Sequence, residues 1–119
     1  MSLKDHMGEF VGAGNVSENK VDLEAYSYDA SGIKLSPRAV VWLKQDPESL
    51  SFLIKYCNRI NLPITIRGRG KSLVGGVLGE GLILDCSRLS KIARLNVKEA
   101  WVELFSGTTI KQLNRVVRE

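Results

Sequence analysis

Residues 68–81 constrain this chain more than any other segment. Six of these fourteen residues are glycine, at 68, 70, 75, 76, 79 and 81. No regular element accommodates that density, because each glycine inside a helix or strand costs about 0.5–1 kcal/mol relative to alanine. The stretch follows Ile64-Thr65-Ile66 and leads into Leu82-Ile83-Leu84, two short apolar runs of strand character. Glycine lets backbone approach a ligand closely and adopt positive φ, so that several N–H groups converge on one anion. Arg67, Arg69 and Lys71 interleave with the glycines and add positive charge. Together these features describe an anion cradle at a strand end. From composition alone, the alternative is a flexible connection between strands.

The surrounding residues imply the elements that carry this loop. Ala39-Val40-Val41-Trp42-Leu43 is a continuous apolar run, which suits a strand buried on both faces. A helix follows: Asp46 can cap it, Pro47 takes its first position, and Glu48 complements the dipole. Leu50, Leu53, Cys57 and Ile60 form its apolar stripe, and Asn61 and Pro63 stop it. Strand, helix and strand make a βαβ unit, so the two strands are expected to be parallel. A third strand ends at Asp85, a turn covers 87–89, and residues 92–97 and 101–105 form a hairpin-like pair. Gly107 breaks the chain. Thr108 or Thr109 then caps a helix bearing Ile110, Leu113, Val116 and Val117. The fold class is α/β (α+β), a βαβ unit with a glycine-rich loop. Trp42 and Trp101 are expected in the core.

Residues 1–30 read as a helical lead-in interrupted by Gly12 and Gly14, leaving through the turn-rich Tyr26-Ser27-Tyr28-Asp29-Ala30-Ser31-Gly32. They hold two lysines against six acids, a net −4, whereas residues 31–119 hold fifteen basic residues against seven acids, a net +8. That asymmetry suggests two structural units, an acidic lead-in over 1–36 and a basic body over 37–119. A basic body suits an anionic ligand or nucleic acid. Against nucleic acid, only 7% of residues are aromatic, and no basic helix or stacking platform is apparent.

Other classes are disfavoured. No apolar run approaches the roughly 20 residues of a membrane span, and the charged N-terminus is unlike a signal peptide. A cytoplasmic protein is the default expectation. Cys57 and Cys86 form no C-x-x-C pair and are expected as buried free thiols. His6 is the only histidine, so a histidine-based metal site or a Ser-His-Asp triad is disfavoured, and no metal is expected.

Among named phosphate motifs, Gly70-Lys71-Ser72 reproduces the end of a P-loop, but Thr65 stands where its first glycine belongs. Val74-Gly75-Gly76 then follows in place of a helix. The dinucleotide fingerprint G-x-G-x-x-G fails similarly, with Leu73 at its third glycine.

A third pattern covers the whole stretch. Pro63-Ile64-Thr65-Ile66-Arg67-Gly68-Arg69-Gly70-Lys71-Ser72-Leu73-Val74-Gly75-Gly76, followed by Gly81-Leu82-Ile83-Leu84-Asp85-Cys86-Ser87-Arg88-Leu89, resembles the FAD-binding signature of the vanillyl-alcohol-oxidase / p-cresol-methylhydroxylase superfamily. The branch it looks most like is the glycolate oxidase / D-lactate dehydrogenase group. Tyr26 to Gly32, Pro37-Arg38-Ala39-Val40-Val41, Cys57-Asn58 ahead of Leu62-Pro63, and Gly107-Thr108-Thr109-Ile110-Lys111-Gln112-Leu113-Asn114 extend the similarity over nearly the whole chain.

The resemblance implies the first subdomain of a p-cresol-methylhydroxylase-type FAD-binding domain plus the start of the second. It assigns Arg67, Gly68, Arg69, Gly70, Lys71 and Ser72 to the loop whose amides hold the cofactor pyrophosphate, with Leu73, Gly75 and Gly76 continuing that wall. Arg67 is more often a brace than a ligand at such a position. The family usually has Thr where this chain has Lys71, and some relatives carry there a histidine bonded to the flavin. Lys71 therefore implies non-covalent FAD. The implied function is that of the cofactor-binding part of a flavin-dependent oxidoreductase of the 2-hydroxy-acid type, with an electron-transfer protein as a possible partner and no catalytic residue in this chain. Asp85 and Arg88 read as a turn cap and a local ion pair. The alternatives are a module that folds without retaining flavin and a basic nucleic-acid binder.

Overall fold

The computed structural model describes residues 2–44 and 47–118. In chain order the elements are α1 (Leu3–Val11), a 3-10 turn (Ala13–Asn15), β1 (Val16–Ser17), α2 (Lys20–Ala25), β2 (Ala39–Trp42), α3 (Pro47–Arg59), β3 (Ile64–Arg67), β4 (Leu82–Asp85), β5 (Ile92–Asn96), β6 (Trp101–Leu104) and α4 (Ile110–Val117). The mixed helix-and-strand class matches the reading of the sequence. The cap expected at Asp46 lies outside the described residues.

One four-stranded sheet has the order β1-β2-β4-β3. β2 and β3 are each parallel to β4, and β1 is antiparallel to β2. The βαβ expectation of two parallel strands holds, but β2 and β3 are not neighbours, because β4 inserts between them. That central place explains why Leu82, Ile83 and Leu84 are all buried: covered on both faces, a strand needs no polar alternation.

The two faces are covered differently. Ala39, Val41, Leu82 and Leu84 pack with Leu53, Tyr56 and Cys57 of α3 in the main core. On the opposite face the return limb of the glycine-rich loop lies against the sheet. A Cβ at Gly79 would sit 2.2 Å from Thr65 Oγ1, and one at Gly81 would sit 2.2 Å from the Pro63 carbonyl. These two glycines are small because backbone runs over strand there.

The acidic lead-in packs against the body of the chain. α1 opens with a capping box in which the Asp5 amide donates to Ser2 Oγ and the Ser2 amide donates to Asp5 Oδ2. Its Met7 is fully buried in the core that holds α3. Val16 of β1 pairs with Val41 and joins the same core. Burying Met7 contributes about 1.5–3 kcal/mol, which holds the acidic lead-in to the basic body.

After β4 the chain forms the antiparallel β5–β6 pair and then α4, capped by Thr109 with Gln112 in a second capping box. Gly107 docks this part closely, since a Cβ there would sit 2.0 Å from the Cys86 carbonyl. Most residues of this region are exposed, with Ile92, Val102, Leu113 and Val116 half-buried. Trp101 is 43% exposed rather than core, and Val97 and Ile110 are more exposed still. Cys57 and Cys86 are buried free thiols, as expected.

Candidate functional site

Parallel strands β2, β4 and β3 end together at Trp42, Asp85 and Arg67. Ligands of open α/β sheets bind outside the carboxyl ends of the strands. The glycine-rich loop leaves β3 at that edge.

Its backbone amides are the first feature of note. Among the described residues, the N–H groups of 68–73 donate to no protein acceptor. Six consecutive main-chain donors are thus available to a ligand or solvent. Beyond them the loop closes on itself: Ser72 Oγ accepts from the Val74 and Gly76 amides, each at 3.3 Å, and the Leu78 amide donates to the Gly75 carbonyl at 3.2 Å.

The glycines divide by surroundings. A Cβ at Gly68 would meet nothing within 4 Å, and one at Gly76 only Ser72 Oγ at 3.7 Å. The backbone there faces open space. Gly70 has φ +72°, and a Cβ on it would fall 2.2–2.8 Å from the Arg67 guanidinium. Gly75 has φ +78° and packs beside Ile33. Arg69, Lys71, Leu73 and Val74 are exposed, the last two at 76% and 83%.

Arg67 is turned the other way. It is buried, donates from Nη1 to the Tyr26 carbonyl at 3.3 Å, and sits 5.1 Å above the Tyr26 ring. This is the bracing geometry. The Tyr26 hydroxyl donates to Asp85 Oδ2 and accepts from Trp42 Nε1 at 2.8 Å. Burial, aided by the bond to Asp85, pushes the Tyr26 phenol up to about 12. Asp85 also caps the turn after β4, accepting from the Ser87 amide at 2.7 Å. The expected ion pair with Arg88 is not formed; Arg88 lies instead over the Trp42 ring at 5.2 Å.

The turn before β2 completes the site. The Ala30 amide donates to the Ser72 carbonyl at 2.9 Å. Asp29 Oδ1 accepts from the Ser31 amide, and the Ser31 hydroxyl bond holds the Asp29 carboxyl below the usual range. Sequence reasoning placed Tyr26 and Asp29 in a turn and not at the site. An Asx turn over Asp29-Ala30-Ser31 is legible locally, but nothing local says which loop it will support. Among the described residues no cluster of potential metal ligands occurs, and no helix is long and apolar enough to cross a membrane.

Comparisons with known proteins bear on the family and the fold. Residues 37–119 match a family described as an FAD binding domain. The chain is 29% identical over 112 residues to D-2-hydroxyglutarate dehydrogenase of Haemophilus influenzae, covering 88% of this chain and 10% of that protein. It is 28% identical over 97 residues to D-lactate dehydrogenase of Archaeoglobus fulgidus, covering 76% of this chain and 22% of that protein. In three dimensions it resembles a crystal structure of p-cresol methylhydroxylase with substrate bound, with a TM-score of 0.82 at 21% identity over 97% of this chain and 24% of that one. The chain thus spans between a tenth and a quarter of the length of these relatives.

Proposed function

Because the chain belongs to the FAD binding domain family, we propose that its glycine-rich loop holds the diphosphate of FAD and that the chain is the cofactor-holding part of an oxidoreductase acting on small 2-hydroxy acids. The observation that carries this reading is the run of unbonded amides at 68–73, set at the carboxyl ends of parallel strands. The residues present fit the group. A diphosphate needs convergent donors, close backbone approach and positive charge, and the loop supplies free amides, open space at Gly68 and Gly76, and the exposed Arg69 and Lys71.

Gly68, Gly70, Ser72 and Leu73 present amides to the diphosphate. Arg69 and Lys71 act as solvent-screened point charges. Gly75 and Gly76 continue the wall without side chains, while Ser72 Oγ fixes its curvature by holding the Val74 and Gly76 amides. Arg67 supports the loop from below. Lys71 offers no ring nitrogen for a bond to flavin, so the cofactor is held non-covalently. FAD itself supplies hydride-accepting chemistry, and the protein's part is binding, orientation and electrostatics. The 2-hydroxy-acid class rests on the names of two relatives, D-2-hydroxyglutarate and D-lactate dehydrogenase. Substrate and electron acceptor are handled by residues outside the loop.

A second reading has its own observation. The loop tip is apolar and bare at Leu73 and Val74, and an open groove of about 630 Å³ runs between β5–β6 and α4. A module with that much uncovered surface can fold and yet release flavin. Titrating the chain with FAD while following flavin fluorescence and thermal unfolding separates the two. Saturable binding with a rise in Tm, absent with ATP, supports the proposal. An unchanged Tm at millimolar FAD favours the second reading, and salt-sensitive binding of DNA with no response to FAD overturns both.

A further inference from the structure

We infer that Tyr26 is a positioning residue for the glycine-rich loop and that it acts through Arg67. The cofactor part of this inference rests on the reading above; the positioning itself does not. Tyr26 lies before residue 37, where the family match begins, so membership of the family does not assign it a role.

The geometry forms a chain of three supports. The Tyr26 hydroxyl is held by the ends of two parallel strands, donating to Asp85 Oδ2 on β4 and accepting from Trp42 Nε1 on β2 at 2.8 Å. The ring is further fixed edge-on to Trp42, centroids 6.4 Å apart. The tyrosine in turn holds Arg67 by two contacts, its ring beneath the guanidinium at 5.1 Å and its carbonyl accepting from Nη1 at 3.3 Å. The guanidinium fills the volume that a side chain at position 70 would need. It thereby forms the floor under Gly70, whose φ of +72° turns the loop.

A second tie lies four residues on from Tyr26, where the Ala30 amide donates to the Ser72 carbonyl at 2.9 Å. In a planar trans peptide the C=O and the following N–H point in opposite directions. With the Ser72 carbonyl drawn toward the turn, the Leu73 amide points away from it, to the open side. The turn at 26–31 therefore directs the Leu73 amide outward, although it lies far from the loop in sequence.

The test uses the full chain and trypsin, whose cutting after the exposed Arg69 and Lys71 quickens as the loop loosens. In the absence of FAD, Tyr26→Leu and Arg67→Met are each expected to speed cutting at these two bonds about tenfold, an effect typical of lost direct contacts. The double variant should be cut no faster than the faster single variant, because both break one support. Tyr26→Phe keeps ring and volume but loses the hydroxyl anchor; it should be cut about threefold faster, and it carries the test if Tyr26→Leu fails to fold. Unchanged cutting in Tyr26→Phe and Tyr26→Leu overturns the inference, as do additive effects in the double variant. Where the wild type binds FAD, affinity should fall in the same order as loop protection. Arg67→Met that loses affinity with no faster cutting would make Arg67 a direct ligand and overturn the support. A wild type whose loop FAD fails to protect defeats the cofactor reading, while the FAD-free rates still decide the role of Tyr26.

Discussion

Replacing glycines one at a time separates those the fold requires from those a ligand requires. At Gly81 a Cβ would lie 2.2 Å from the Pro63 carbonyl, a backbone atom that cannot swing aside. Gly81→Ala should cost about 1–3 kcal/mol, the usual range for overpacking, and lower Tm by roughly 5–15 °C. Gly68 is the opposite case. A Cβ there meets nothing within 4 Å, so Gly68→Val should change stability by less than about 0.5 kcal/mol. If the diphosphate sits against the amides of 68–73, the valine methyls occupy the space through which it approaches. Losing one charge-assisted hydrogen bond costs about 1.5–3 kcal/mol, which weakens FAD affinity by about ten- to a hundredfold. Thermal unfolding and fluorescence titration on the two variants provide the assay. FAD affinity unchanged in Gly68→Val refutes the argument, as does a Tm loss in that variant as large as in Gly81→Ala. Gly70 is a poor probe: its positive φ and the Arg67 floor make any side chain strain the loop whether or not a ligand binds.

Other outcomes follow from the same geometry. The folded Tyr26 phenol ionises at about 12, above its ordinary value, so its contribution to stability is present below pH 10 and lost as pH rises through 12; ultraviolet titration of tyrosinate should find Tyr26 among the late-ionising phenols, and Tyr26→Phe should flatten stability over that window. Ala100 holds φ +56° in an exposed turn, so Ala100→Gly should raise stability by about 0.5–1 kcal/mol in urea unfolding. Met7→Ala should cost about 2–5 kcal/mol, because α1 is part of the core; no change in the urea midpoint would make the helix an appendage.

Much of this arrangement was legible from residue patterns. Continuous apolar runs located β2 and β4, Pro47 marked the start of α3, and Thr108 or Thr109 marked the start of α4, where Thr109 proves to be the cap. The glycine and lysine-arginine interleaving drew attention to the right loop. Long-range placement was not legible. Val16-Ser17 is too short for any period to show, yet it extends the sheet. The insertion of β4 between β2 and β3 is set by burial on both faces and not by a local signal. The resemblance already marks Arg67 as a brace, but its partner is not legible; the fold turns it inward onto Tyr26 while Arg69 and Lys71 stay exposed. Trp101 matched a core strand by composition, but β5–β6 is a two-stranded pair with a bare face.

Neighbouring parallel strands are usually linked by a helix that crosses back over the sheet. Between β3 and β4 that link is the glycine-rich segment, folded back across Thr65 and Ile83. Because β3 is one of the two edge strands and pairs only with β4, it can leave the sheet without breaking any other strand pairing. A molecule seated on the connecting amides would fasten that outer strand to the centre. At a hundred times its Kd such a molecule adds about 2.7 kcal/mol against opening. Occupancy would therefore register first as slower hydrogen exchange along residues 64–67 and 82–85, so the loop couples cofactor capture to the integrity of its own sheet.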